Sequence, residues 1–300
     1  MKEWLEEKQD TSRTFFASYG KLLLVVVLLV ACLLCGVALF IHTTHKTLHV
    51  SFLDVGQGDA ILIRTPSGHT MLIDGGPGNV VLDRLSHELG YFDHHLDVVV
   101  ATHPDADHIT GLVGVLAHYD VDTIIMSPIS GTTGVFEELT RAITEEHAQQ
   151  YVGKKGDTII FGDGVVAHIL YPSTYYYGDK DTNDASVSMV ITYGDESILL
   201  TGDLPSTHEG ELLYDELPEH VTLYKAGHHG SKYSSSEQLL SYVRPEYAVI
   251  SAGKNNRYGH PNAEALQRLT TYSKEILSTI DKGTITFSLD GEHASVTSTR

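Results

Sequence analysis

The apolar positions divide the chain into two unlike parts. Residues 22–41 (LLLVVVLLVACLLCGVALFI) carry no charge and no strongly polar side chain. Wound as a helix at 1.5 Å per residue, that run is about 30 Å long, the thickness of a bilayer core. The pattern predicts a polar segment over 1–21, a transmembrane helix over 22–41 and one folded domain over 42–300. In that domain, short apolar runs alternate with turns rich in Gly, Pro and Asp. Alternating or β-branched runs predict strands over 48–54, 60–65, 70–74, 98–102, 123–126, 158–161, 165–170, 187–193, 197–201, 222–225, 248–251 and 284–289. Apolar spacings of three and four predict helices over 80–89, 109–117, 135–147, 237–242 and 263–273. Helices fall between batches of strands, which predicts a layered α/β arrangement. Residues 175–181 (YYYGDKD) read as the most loop-like insertion.

Charge adds an orientation. Lys2, Lys8, Arg13 and Lys21 precede the apolar run, whereas Lys46 alone follows it closely. This bias predicts a cytoplasmic N-terminus, with the large domain extracellular or periplasmic. A cleaved signal peptide and a lipid on Cys32, after the lipobox-like Leu29-Val30-Ala31, are the alternatives. The chain stays apolar past Cys32 to Ile41, so an uncleaved anchor fits better. Cys32 and Cys35 both lie inside that run and read as small membrane-helix residues rather than a redox pair. The net charge is −19; four basic and four acidic residues cancel within the first 41, so the excess sits on the domain. Such a surface opposes broad binding of nucleic acid.

Candidate chemistry gathers where apolar runs end. Directly after Val98-Val99-Val100-Ala101 comes Thr102-His103-Pro104-Asp105-Ala106-Asp107-His108. His103 and Asp105 are two apart, so an extended segment sends both side chains to one face. Asp107 and His108 are adjacent and need a turn that aims them at a second point, so one loop could ligate two ions. The plainer account makes Asp107 the N-cap of the following helix. Three further runs repeat the theme: Leu199-Leu200-Thr201-Gly202-Asp203, Tyr224-Lys225-Ala226-Gly227-His228-His229-Gly230-Ser231, and Ser251-Ala252-Gly253 followed by Tyr258-Gly259-His260-Pro261. The Asp203 carboxylate could bridge two cations, although Gly-Asp-Leu-Pro is also a plain turn. Histidine is the commonest metal ligand, and flanking glycines permit close approach. His260 reads either as part of the site or as a residue of a helix-entry loop.

These motifs, together with Phe52-Leu53-Asp54-Val55-Gly56-Gln57-Gly58-Asp59-Ala60 and Leu72-Ile73-Asp74-Gly75-Gly76, occur in an order that resembles the metallo-β-lactamase-fold hydrolases. The chain looks most like the branch formed by the C-terminal domain of ComEC-type competence proteins and its stand-alone relatives. The resemblance covers residue 48 to the C-terminus. It implies an αββα sandwich with a site for two divalent ions, zinc or manganese, along one edge. His103 and Asp105 would hold one ion, Asp107 and His108 the other, with Asp203 bridging and His228 or His229 completing the second. Asp74 would steady the metal loop from behind. Asp54, Gln57, Asp59 and Ser231 would support the site or meet substrate. Asn183 and Ser186 fall where many superfamily members place a further histidine. Asp105 likewise replaces a common histidine, and the harder donor set favours manganese or magnesium over zinc.

The resulting expectation is a membrane-anchored, metal-dependent hydrolase of a phosphoester, a phosphodiesterase or nuclease acting through a dimetal-activated water. Asp107, His228, His229 and His260 are its candidate catalytic residues. DNA is the substrate that the ComEC-like resemblance implies, but a single membrane span does not carry over a role in DNA uptake. Two alternatives stay open: a hydrolase of a surface polymer resembling phosphorylcholine esterases, and a metal-stabilised surface binding protein without catalysis.

Overall fold

The structure, a computed structural model, describes residues 19–37, 47–173, 181–213 and 217–300. It forms two separate units, Met1–Lys46 and Thr47–Arg300. In the first, helix α1 (Tyr19–Val37) has a mean hydropathy of 2.8 and is long and apolar enough to cross a membrane. It begins three residues before the expected start; residues 38–41 of the expected span, and 175–180 of the expected loop, lie outside the described residues.

The second unit holds two mixed sheets. The first contains β1 (Leu48–Phe52), β2 (Ile61–Arg64), β3 (Thr70–Ile73), β4 (His95–Ala101), β5 (Asp120–Met126), β6 (Gln149–Val152), β14 (Ile285–Leu289) and β15 (Ala294–Ser298), in the order β15-β14-β1-β2-β3-β4-β5-β6. The second contains β7 (Thr158–Ile160), β8 (Val166–Tyr171), β9 (Ser188–Tyr193), β10 (Glu196–Leu200), β11 (Leu223–Lys225), β12 (Tyr247–Ile250) and β13 (Glu275–Ser278), in the order β13-β12-β11-β10-β9-β8-β7. Helices α2 (Val80–Leu89), α3 (Ala106–Leu116) and α4 (Gly134–Glu146) belong with the first sheet. The short α5 (Ser206–Glu209), α6 (Glu237–Val243), α7 (Ala263–Tyr272) and α8 (Thr279–Lys282) belong with the second.

Period-two alternation decides which side chains meet. Val50, Phe52, Val98 and Val100 of the first sheet and Ile191, Ile198, Leu223 and Val249 of the second share the core between the sheets. Val99 and Ala101, the other face of β4, pack with Ile109, Leu112 and Leu139 of α3 and α4. Leu199, Tyr224 and Ile250 do the same with Leu239, Leu240 and Leu269 of α6 and α7. Strands buried on both faces read as continuous apolar runs, which is why Val98-Val99-Val100 shows no alternation. The layers are therefore helix, sheet, sheet, helix.

β3–β4–β5–β6 and β10–β11–β12–β13 are parallel runs. Loops that leave the C-terminal ends of parallel strands share one edge of their sheet, as ligand-binding loops of open α/β sheets do. Asp74, His103, Asp203 and His229 all follow such ends.

Candidate metal centre

The centre begins with a helix start. α3 opens at Ala106, three residues before the expected position, and its N-cap is Asp105 in extended backbone (φ −73°, ψ 143°), not Asp107. Pro104 disfavours helical backbone just before it, which delays the first turn to Ala106. Asp107 and His108 thus sit in that turn. The Asp105 carboxylate caps nothing; it accepts a short hydrogen bond from the Thr182 hydroxyl.

The helix is pressed onto the Asp74 loop. A Cβ on Gly111 would stand 1.9 Å from the Gly75 carbonyl oxygen, so any side chain there would push the two apart. Asp74, at φ 59°, consequently lies under His108. Its carboxylate accepts from the Thr102 amide (2.8 Å) and hydroxyl (2.7 Å) and faces His108 Nδ1 at 2.7 Å. With Nδ1 committed, His108 turns Nε2 to the centre. His228 (φ 47°) and His229 (φ 54°) are also left-handed, in a tight turn after β11. Such backbone costs about 1–3 kcal/mol per residue and persists where surrounding structure enforces it.

Four donors converge. His108 Nε2 lies 3.3 Å from His229 Nε2 and 3.4 Å from Asp203 Oδ2. His229 Nε2 is 3.4 Å from both Asp203 Oδ2 and Asp107 Oδ2. Bonds of about 2.1 Å directed to tetrahedral corners separate the ligand atoms by about 3.4 Å, the spacing that His108, Asp203 and His229 keep to one another, so these three fit one divalent ion, with Asp107 at that distance from His229. Beside it, His103 Nε2 is fully buried with no hydrogen-bond partner among the described residues, 3.9 Å from Asp105 Oδ2. Asp203 Oδ1 also makes no hydrogen bond among them. Orphaned buried acceptors are expensive unless a cation fills the gap. His103 and Asp105 are thus the candidate donors for a second ion.

Charge follows the same division. Burial alone would lower His108 and His229, but Asp203 and Asp74 hold His108 well above an ordinary imidazole, and Asp203 and Asp59 raise His229 to about 9. Asp203 is correspondingly driven far down, against its burial, by His229, His108 and His228. His103 goes the other way: burial and the neighbouring His108 push it down to about 4. Burial likewise raises Asp105, whereas His229 and His108 outweigh burial at Asp107 and lower it.

The remaining expected residues are placed as follows. His228 Nε2 approaches Asp203 Oδ2 at 3.5 Å but stays partly open to the cleft. His260 packs across His228 (ring centroids 5.4 Å), keeps a buried Nδ1 with no partner among the described residues, and is lowered to about 4 by burial and by His228 and His229. Gln57, Asn183 and Ser231 line the cleft. Ser186 accepts from the Asp203 amide (3.3 Å) and so fixes the bridging candidate's backbone. Asp59 is buried behind His229, its Oδ1 3.3 Å from Nδ1. Its donor atom lies within 4.8 Å of those of His108, Asp203 and His229, and its other oxygen is committed to Lys225; the Ser251 carbonyl, 3.0 Å from His229 Nδ1, is what orients the imidazole. Asp54 departs from the expectation: its carboxylate pairs with Arg300, its amide donates to Thr284, and it does not line the cleft.

Lys225 escaped the sequence reading, which took it as the last residue of a strand. It is fully buried, ion-paired to Asp59, with its Nζ 3.9 Å from Asp203 Oδ1. The available signal was a lone charge ending an apolar run, two residues before Gly-His-His-Gly.

Residues 53–254 match the family described as the metallo-beta-lactamase superfamily. The chain is 31% identical to ComE operon protein 3 of Bacillus subtilis (strain 168) over 257 residues, 79% of this chain and 32% of that protein. It is 30% identical to competence protein ComA of Neisseria gonorrhoeae over 248 residues, 80% of this chain and 32% of that one. The chain thus spans about a third of the length of these curated relatives. Among solved structures, the metallo-beta-lactamase fold protein YhfI from Bacillus subtilis superposes with a TM-score of 0.53 at 11% identity, covering 79% of this chain and 98% of that one.

Proposed function

The chain belongs to the metallo-beta-lactamase superfamily, and from that premise we propose that it is a membrane-anchored, extracytoplasmic metal-dependent phosphodiesterase or nuclease. The convergence of His108, Asp203 and His229 at tetrahedral edge distances, with Asp107 beside His229 and the orphaned His103 next to them, carries the reading. Two divalent ions, zinc or manganese, would supply a water of lowered pKa and offset charge on a phosphoryl group.

The chain's own residues do the rest. The Asp74 carboxylate and the Ser251 carbonyl hold the far nitrogens of His108 and His229, so both rings turn Nε2 to the ion. His228, partly exposed beside Asp203, is placed to hand a proton to a leaving oxygen. His260, lowered to about 4, is neutral near pH 7 and serves as an acceptor rather than an acid. The names of the competence and ComE relatives support DNA as a candidate substrate; the acidic surface restricts such binding to the cleft. The apolar helix and the Lys/Arg bias support anchoring with the domain outside.

The test uses the full chain in detergent: quantify bound metal, then assay a phosphodiester panel with zinc and manganese. Metal-dependent turnover of a diester is expected. Two bound ions without turnover on any diester would favour the non-catalytic binding protein. Protease added to intact cells, or spheroplasts, should digest the domain while a cytosolic marker survives; full protection would invert the orientation.

A further inference from the structure

Tight turns normally hold Gly, Pro, Asn, Asp or Ser at their tips, residues that suit the backbone and sit well in water. The turn between α2 and β4 departs from that rule. Gly90-Tyr91-Phe92-Asp93 closes with the Asp93 amide donating to the Gly90 carbonyl (3.1 Å), and its two central residues are aromatic. Tyr91 is 77% exposed and Phe92 91%, more than any other large apolar side chain among the described residues of the domain. The two rings meet edge to face, centroids 5.3 Å apart. The chain behind them is pinned, because the His94 carbonyl accepts from the Asp120 amide at 2.8 Å and the His94 ring lies against Tyr119. The fold of the domain thus holds both rings out and covers neither.

Topology says which end of the domain they occupy. β1 is antiparallel to β2, β2 is antiparallel to β3, and β3 is parallel to β4, so β1, β3 and β4 run in one direction. Residues just before these strands share one end of the first sheet, and residues just after them share the other. Thr47 precedes β1 and Phe92 precedes β4, whereas Asp74 and His103 follow β3 and β4. The chain therefore enters the domain at the end that carries the rings, opposite the metal centre. Nine residues, 38–46, separate α1 from Thr47, a reach of at most about 35 Å even fully extended.

We propose that Tyr91 and Phe92 seat this end of the domain on the surface of the bilayer that α1 crosses, and so hold the metal centre facing away from the lipid. The inference rests on the membrane-anchored reading above. Aromatic rings settle at the headgroup level of a bilayer. The tether makes that contact intramolecular, so two rings suffice where an untethered protein would need a larger face. Asp93 and Asp120 are exposed beside the turn and oppose an anionic surface, so the fitting partner is zwitterionic lipid. The seven residues of β4 span about 23 Å, which sets the centre roughly that far from the headgroups. Phosphodiesters in the headgroups of the same bilayer are then out of reach, and the substrate class narrows to diesters that are soluble or carried on a polymer.

The test puts a fluorescent reporter at each end of the full chain. Trp4→Phe removes the only tryptophan. Phe92→Trp then reports from the turn, and Tyr233→Trp, at another exposed ring, reports from the metal-centre cleft. Each variant is placed in phosphatidylcholine nanodiscs with and without lipid brominated on its acyl chains. Brominated lipid should quench the Phe92→Trp reporter and leave the Tyr233→Trp reporter unchanged. Adding Tyr91→Ser should move the docked-to-free ratio about tenfold toward free, and replacing part of the lipid by phosphatidylglycerol should weaken the quenching. Absent quenching at the turn, or equal quenching at both positions, overturns the proposal. So does a blue shift of the Phe92→Trp emission that brominated lipid does not quench, because a protein surface would then cover the ring. A chain that enters the discs with an unquenched turn keeps its anchor and loses the docking; a chain that never enters them loses both.

Discussion

The two sides of the Asp203 carboxylate are built differently. On one side, Asp107, His108 and His229 stand 3.3–3.4 Å from their neighbours in the cluster, held by a helix turn, a left-handed turn, the Asp74 carboxylate and the Ser251 carbonyl. On the other, His103 and Asp105 are 3.9 Å apart, and Asp105 is drawn aside by Thr182. Nearby imidazoles lower Asp107, while burial raises Asp105. A site preorganised by rigid elements binds before a site that must assemble around its ion. A carboxylate shared between two ions would then serve a firm pocket and a loose one, and occupancy should follow that order.

Removing the shared group should erase the contrast. Asp203→Ala is expected to lower diester turnover by at least about 10³-fold and to deplete both ions, read by elemental analysis of the purified chain. Near-normal activity would break the bridging assignment. Next, Asp107→Ala should cost more activity and more tightly held metal than Asp105→Ala, which should keep one ion. The opposite ranking would mean that the pocket beside His103 fills first. A smaller effect is expected behind the ring: Asp74→Ala frees His108 Nδ1 and should weaken metal binding by about 10–100-fold with the fold intact, measured by competition with a chelating dye.

The gentlest prediction concerns pH. His229 is raised to about 9 in the metal-free chain, above its unfolded value of 6.5, so its contribution to stability is complete below 6.5 and disappears as pH rises through 9. A cation needs the same Nε2 lone pair free of its proton. The rise in Tm on adding manganese should therefore grow between about pH 6.5 and 9. A constant rise would show that no proton leaves when the ion binds.

Much of this was legible in the sequence. Twelve strands were expected and each has a counterpart, because buried strands announce themselves by apolar runs. Three were missed: β6, β13 and β15, all at sheet edges. All four β6 residues and four of five in β15 are exposed, so no apolar face marks them. The His103–His108 loop was legible because its chemistry is contiguous. Lys225 was not, since its role depends on Asp59, 166 positions earlier in the chain. Asp54 misled for the converse reason: neighbouring a motif in sequence, it turns to Arg300 at the far terminus.

The same cluster has a mechanical consequence. Asp59, Asp74, His103 and His108 hang from loops of the first sheet; Asp203, Lys225 and His229 hang from the second. Their contacts clasp the mouth of the sandwich across long stretches of sequence, as a disulfide does in many secreted domains. Residues 47–300 contain no cysteine, and this clasp is blind to thiols and oxidants. It answers to proton and cation concentration instead. A chelator or acid should loosen the two sheets at that edge, where a reductant would leave them joined, so the chain's surroundings can tune its hold through ion supply alone.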